Sequence, residues 1–411
     1  KSRKLFFRRR LQEPNKNVNQ LMNFLISKDE MLAALNKCIG LATKGDSPLT
    51  ENVKIDVGDE DITFTTSDRQ SQIIASCPSS KIKTKGVTCV NAKKVNELFR
   101  LLPDKEDINV FLDGNKLKIK TTGGSWELSN FPSEDFPVFT VNNEDTIQVS
   151  ITSQSLTDLI SRTLISMPRT GGLNTKLVDG ILFEFSNNEM SATTYDGHRI
   201  SSSKEKASAQ DDQTASCIVP RRAVTEISKI ISGSQEDIKF SIGKNNLILK
   251  TKSVELKSSL ILKPFVPYQT AINPSEFSLL KVNTKEFSDA LNRASLLANS
   301  EMREVMLTCS QNKIYIESLN KMSAEKSSES IDATYDGEEI QVIFNVRYLL
   351  DALSVMGSEI TEIMVFFELN KKSDSVKYRW ILKHEGKDHT KFFIAAIVPV
   401  ITPAIESSES S

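Results

Sequence analysis

The chain has 411 residues, and 52 Lys+Arg against 53 Asp+Glu leave a formal net charge of −1. That length exceeds what one hydrophobic core serves, so two or three domains are expected. The neutral balance excludes a uniformly cationic nucleic-acid binder, and any contact with phosphate has to use a local basic surface.

The five cysteines, Cys38, Cys77, Cys89, Cys217 and Cys309, are widely spread and form no CxxC pair. This fits a reducing compartment and argues against a disulfide framework or a zinc site. No apolar run approaches the roughly 20 residues of a membrane span. No secretory signal is evident, and a cytoplasmic location is expected.

In chain order, residues 1–21 are expected to form a flexible basic arm, with Arg8, Arg9 and Arg10 at its centre. A strand at 23–26 follows. Ser27 with Glu30 then offers a capping box for a helix over 28–42, whose Met31, Leu32, Leu35, Cys38 and Ile39 share a face. Alternating runs at 53–57 and 62–66 predict a hairpin across 58–61, and 72–76 continues the sheet. A second helix over 92–102 is stopped by Pro103. Strands at 108–112 and 116–120 and a run at 126–128 lead to a linker-like stretch at 131–137.

The order then restarts. A strand at 147–151 precedes a helix over 155–167, a hairpin at 180–185 and 189–193, a helix over 221–231, and strands at 238–242 and 246–251. The segment after Ile200 reads as a charged, Ser-rich loop. A third round holds helices over 285–298 and 346–356, strands at 305–308 and 313–317, and closing strands up to 399.

The first helices of the three rounds align Lys37, Arg162 and Arg293 in one register. The second helices align Lys93, Arg222 and Arg347, followed by Glu97, Glu226 and Asp351. The period is roughly 125–130 residues, about one domain. One basic helix face is commonly just solvated, but six helices with a cation in register suit a ring lined by positive charge. Such a lining attracts phosphate without reading bases.

Several segments carry a resemblance: Asp179-Gly-Ile-Leu-Phe-Glu184, Tyr195-Asp-Gly-His-Arg-Ile200, Ile218-Val-Pro-Arg-Arg222, Phe131-Pro-Ser-Glu-Asp-Phe-Pro137 and Phe344-Asn-Val-Arg-Tyr-Leu-Leu-Asp-Ala-Leu353. Together they resemble the bacterial sliding clamp, the beta subunit of DNA polymerase III, from about Met22 to about Val400. The resemblance implies an α+β fold of three clamp-like domains, each with two helices packed on antiparallel sheets, closing a ring as a head-to-tail dimer. The expected divisions are 22–144, 145–272 and 273–402, with a disordered tail at 403–411.

It further implies a non-catalytic processivity factor without metal or cofactor. The implied partners are double-stranded DNA held without sequence preference, the DNA polymerase III alpha subunit, a clamp loader, other proteins carrying a clamp-binding motif, and a second copy of the chain. Carried over by alignment, the peptide pocket would use Val178, Tyr195, Gly197, His198, Arg199, Ile200, Val266, Ala271, Tyr348, Val398, Pro399 and Val400. DNA would be faced by Lys37, Lys44, Lys93, Arg162, Arg169, Lys176, Arg221, Arg222, Arg293 and Arg347. Trp126 and Leu128 would meet Leu296 and Leu297 at the subunit interface.

Three departures stand out. Tyr195 replaces the family's usual Thr, the linker reads Phe265-Val-Pro-Tyr268, and a polar tail follows Val400. Two other classes compete with this reading. His198 with Asp196 and the nearby Ser201 invites a hydrolase, but one contiguous stretch does not assemble a base, orienter, nucleophile and oxyanion site. A scaffold protein that binds no DNA is the other.

Overall fold

The computed structural model describes residues 22–43, 48–78, 81–104, 106–141, 146–168, 177–209, 213–320, 323–370 and 375–397. The expected arm and tail lie outside these residues, as do Lys44, Arg169, Lys176, Val398, Pro399 and Val400. The chain divides into two units, the first running to Phe139 and the second starting at Thr140.

Six α-helices are found among the described residues, and each starts directly off a strand. They are α1 (Lys28–Cys38), α2 (Ala92–Leu101), α3 (Ser153–Leu164), α4 (Arg221–Ile231), α5 (Thr284–Leu297) and α6 (Val346–Ser354). Five are capped by the residue that the strand delivers. Ser27 accepts from the Glu30 amide at 3.2 Å while its own N–H donates to Glu30 Oε2 at 3.1 Å, so both arms of the predicted box form. Asn91, Thr152, Asn283 and Asn345 accept from amides of their own first turns. Each such cap is worth about 1 kcal/mol. Pro220 has no side chain to offer α4. There the Arg221 amide instead donates to the Asp179 carbonyl at 3.0 Å.

In the first unit an antiparallel sheet runs Ile82–Thr84, Asn23–Ser27, Asp107–Asp113, Lys116–Lys120, Ser125–Phe131, Gly86–Asn91, Asn52–Val57, Asp61–Ser67, Ser71–Pro78. Helices α1 and α2 pack side by side. They bury Met31, Leu35 and Cys38 from one and Val95 and Phe99 from the other. Helix α1 is shorter than expected. The Thr66 hydroxyl donates to the Cys38 carbonyl at 2.5 Å, Gly40 weakens the next turn, and Ile39–Leu41 tightens to 3₁₀.

The second unit repeats the helix-pair plan twice, with α3 beside α4 and α5 beside α6. Its largest sheet orders Ala215–Pro220, Gly180–Ser186, Glu189–Tyr195, Arg199–Lys206, Thr390–Ala395, Ser375–His384, Ile360–Asn370, Ser278–Asn283, Glu325–Tyr335, Lys313–Asn320, Glu304–Cys309, Ile340–Asn345. Under α5 and α6 the core centres on Trp380 and Phe344, whose rings lie 4.7 Å apart.

One expectation is overturned here. Residues 199–206 are not a loop but a central strand, paired on both sides and buried from Arg199 to Ser203. Polar composition concealed it. Each buried hydroxyl finds a partner: Ser201 with Ser166 at 2.5 Å, Ser202 with Thr193 at 3.1 Å, and Ser203 with Thr390 at 2.8 Å. Satisfied in this way, hydroxyls can occupy a core. The pairing of Arg199–Lys206 with Thr390–Ala395 is the seam that joins the second round to the third.

Candidate functional site: a cleft on the seam

The stretch from Tyr195 to Ile200 turns the chain into this seam. Asp196 Oδ1 accepts from the amides of His198 and Arg199 at 3.0 and 3.1 Å, a side-chain turn. Gly197 sits at φ +100°, a conformation that favours glycine. Arg199 then folds back. Its Nε donates to Asp196 Oδ2 at 2.9 Å and its Nη1 to Asp351 Oδ2 of α6 at 2.7 Å, and its guanidinium lies 4.4 Å from the Tyr348 ring centroid. Only 7 % of this side chain is exposed. His198 points outward and stacks on Tyr348 at 6.1 Å between centroids. The four residues therefore divide the work: one carboxylate shapes the turn, glycine permits it, arginine ties it to α6, and imidazole faces outward.

His198, Arg199 and Tyr348 line a cleft of about 710 Å³. Its other walls are Leu164, Ile165, Met167 and Pro168 at the end of α3, Leu177, and the cationic Arg221, Arg303 and Arg347, with Asp196, Glu301 and Asp351 interspersed. Beside it lies an apolar cluster that holds Val178 and Ile200 with Leu182, Ile218, Tyr268, Ile272, Met364, Ile381 and Phe393. Tyr195, Val266 and Ala271 pack against the edge of that cluster. Of the predicted set, His198, Arg199 and Tyr348 thus line the cleft, and Val178, Tyr195, Ile200, Val266 and Ala271 belong to the adjoining apolar cluster or its edge.

Tyr195 donates its hydroxyl to the Gly197 carbonyl at 3.1 Å. Tyr268 donates to Glu184 at 2.5 Å. Burial, with that carboxylate, pushes the Tyr268 phenol up to about 12. Sequence reasoning missed Leu177, Arg303 and Met364. Leu177 adjoins Val178 and could have been found; Arg303 is aimed by a left-handed turn at φ +52°, which leaves no composition signal.

The hydrolase alternative fails on geometry. Ser201 is fully buried against Ser166, and Asp196 holds Arg199 rather than an imidazole.

The cations in register have different surroundings. Arg162 is mostly buried and paired with Glu205 at 2.6 Å and Asp158 at 3.3 Å. Arg221 holds Asp179 at 2.6 Å on the cleft wall. Arg293 grips Glu329 with two bonds of 2.8 and 2.9 Å yet stays exposed. Lys93 is exposed beside Glu97, Arg347 reaches Asp351 at 4.0 Å, Arg222 is exposed and Lys37 is half-buried. Trp126, Leu128 and Leu297 are half-buried, and Leu296 is exposed.

Against the buried end of Arg162 lie His384 and His389, stacked at 5.4 Å. His384 Nε2 has no hydrogen-bond partner among the described residues. Burial, then the neighbouring imidazole and the Arg162 and Lys387 charges, holds His384 below the ordinary imidazole value. Burial and Arg162 lower His389 as well, with Glu205 pulling the other way. Because both folded values lie below the unfolded one, this pair's contribution is intact above pH about 6.5 and is lost as the unfolded imidazoles charge first on acidification. A His384→Gln/His389→Gln variant should therefore show a flatter dependence of urea midpoint on pH between 7.5 and 5.5 than the parent. Parallel curves would refute the assignment.

These features define an α+β repeat protein with a cleft between its second and third rounds. Comparison with known proteins makes this specific. Profiles of the DNA polymerase III beta subunit match its N-terminal domain to residues 22–140, its central domain to 150–265 and its C-terminal domain to 271–377. The beta sliding clamp of Vibrio cholerae is 27 % identical over 339 residues, 82 % of this chain and 90 % of its own length. That of Proteus mirabilis is 28 % identical over 349 residues, covering 84 % and 93 %. The crystal structure of the DNA polymerase III subunit beta from Pseudomonas aeruginosa superposes with a TM-score of 0.84 at 21 % identity, over 92 % of this chain and all of that one.

The chain belongs to the beta sliding clamp family, the beta subunit of DNA polymerase III. Its function is that of a DNA sliding clamp, a processivity factor without catalysis of its own.

Proposed function

We propose that this clamp acts in the cytoplasm as a head-to-tail dimer closed around duplex DNA, with clamp domains at 22–144, 145–272 and 273–402. On this reading Lys37, Lys93, Arg222, Arg293 and Arg347, with Lys44, Arg169 and Lys176 from the remaining predicted set, meet phosphate without reading bases. Arg162 and Arg221 hold the protein's own carboxylates at 2.6 Å and serve its fold first. The DNA polymerase III alpha subunit, the clamp loader and other clamp-binding proteins dock a short peptide at the seam.

The observation that carries the docking site is a 710 Å³ cleft adjoining an apolar cluster. Apolar side chains of a peptide are buried against the partly open edge of that cluster, at Tyr195, Val266 and Ala271, while a few polar groups fix its direction. Arg303 and His198 favour a peptide with acidic or carbonyl groups beside its anchors. Val398, Pro399 and Val400 are assigned to the same pocket by alignment.

The test is retention on DNA. Loaded by a clamp loader, the protein should stay on closed circular duplex and leave linear duplex through its ends. Equal retention on both, with steep salt dependence, would mean a groove binder, and retention on neither would leave the scaffold reading.

A further inference from the structure

The stacked imidazoles beside Arg162 border a second, separate cavity. His384 is only 9 % exposed, and its Nε2 meets no hydrogen-bond partner among the described residues. The Ser358 hydroxyl is buried and equally unmatched. Both residues line one cavity of about 330 Å³. Buried polar atoms are satisfied almost everywhere in folded proteins, so two orphans on one cavity mark a place for a polar guest.

The cavity draws on two rounds of the repeat. Arg162 comes from α3, Ser358 from the turn after α6, and His384, Lys387 and His389 from the turn between strands Ser375–His384 and Thr390–Ala395. The His389 carbonyl accepts from the Lys204 amide at 2.7 Å, which fastens that turn to the seam strand. A metal ion is the first guest that two histidines suggest, but three observations disfavour it. Among the described residues no group of three His, Cys, Asp or Glu side chains could hold one. The two rings are stacked 16° from parallel, so their nitrogens lie side by side and do not converge. The charges of Arg162 and Lys387 also act on His384 and would repel a cation.

An oxyanion suits the donors on offer, a hydroxyl, an imidazole N–H and an ammonium. Most of the nearby carboxylates are already engaged. Glu205 and Asp158 hold Arg162, and Glu385 holds Lys281 at 3.2 Å. Glu359 is exposed to solvent, where its repulsion is screened. We propose that this cavity binds a small phosphate-type oxyanion, which accepts from the Ser358 hydroxyl, from His384 in its Nε2–H tautomer and from the Lys387 ammonium. The site is independent of the peptide cleft and of the ring.

Histidine-selective NMR labelling of the full chain tests it. The chain has three histidines, and His198 at the cleft serves as the control. At neutral pH and fixed ionic strength, inorganic phosphate or pyrophosphate should shift the His384 and His389 signals saturably at millimolar concentration and leave His198 in place. Ser358→Ala combined with Lys387→Gln should weaken that binding by roughly tenfold or more. The tighter of the two ligands identifies the source, free phosphate or the diphosphate that nucleotide addition releases. Shifts that never saturate, or that move His198 alike, would be salt effects and would overturn the site. An unchanged affinity in the double variant would overturn it as well. Zinc moving both imidazoles where phosphate does not would make this a metal site, and a short duplex doing so would make it a contact for the DNA backbone. Either result ends the proposal.

Discussion

Replacing Arg199 by alanine is expected to lower the stability of the second unit by about 3 kcal/mol. The guanidinium is buried between Asp196 and Asp351 and covers the Tyr348 ring. Its removal leaves two carboxylates facing each other across a largely desolvated gap. The estimate sits at the low end for a broken buried pair because Asp351 is 28 % exposed and can be partly rehydrated. The chain has two tryptophans, Trp126 in the first unit and Trp380 in the second. In a Trp126→Phe background, Trp380 fluorescence therefore reports unfolding of the second unit alone. His198→Ala is the contrasting change. It should leave that midpoint in place and weaken binding of a polymerase-derived peptide by about tenfold, since His198 only stacks outward on Tyr348. An Arg199→Ala midpoint equal to the parent's would show that the clamp from Asp196 to α6 carries no load.

The second large effect is expected at Trp126. Its indole folds over Gly124, where an added Cβ would stand 2.6 Å from the ring, and Leu128 shares its face two residues on. The resemblance sets the half-buried Trp126, with Leu128, opposite Leu296 and Leu297 at the proposed subunit contact. Trp126→Glu places a charge where an aromatic anchor should be buried. Losing such an anchor commonly costs 2 kcal/mol or more, roughly a 30-fold rise in the dissociation constant. Sedimentation equilibrium at micromolar protein should then show monomers with an unchanged folded signal from Trp380. A variant that stays dimeric but unfolds earlier would make Trp126 part of the first unit's own packing.

The start of α1 was legible because its cap is local, with Ser27 announcing the helix within three residues. Asn91, Thr152, Asn283 and Asn345 cap just as locally but were not read as caps, and the helices placed from 155 and 285 start at Ser153 and Thr284. The hairpin at Gly58 to Asp61 was legible for the same reason. Strands Arg199–Lys206 and Glu325–Tyr335 were not. Their serines, lysines and glutamates lack the apolar alternation of a half-buried strand, and they pair only because neighbours on both sides supply ladders. At the cleft, the Asp-Gly-His-Arg stretch stood out by its histidine and by the resemblance it carries. Its function as a tie does not follow from composition, because Asp351 lies 152 residues further along. The register of cations was visible in sequence, but whether Arg162 and Arg293 meet solvent or a carboxylate depends on Glu205 and Glu329, which the repeat does not preserve.

The hydroxyl-lined seam also bears on how a chain with three similar parts assembles. Related rounds compete for one another's strand edges while the chain is only partly folded, a recurrent source of misassembly in repeat proteins. An apolar strand would join any apolar edge nearly as well. Ser202 and Ser203 accept only an edge that brings a hydroxyl opposite each of them, and Thr193 and Thr390 are the two that do so. A swapped or slipped edge would strand those groups without partners, at about 1–3 kcal/mol apiece. The polar strand thus acts as a proofreading joint, weaker in apolar burial than its neighbours and more selective about which part of the chain may lie beside it.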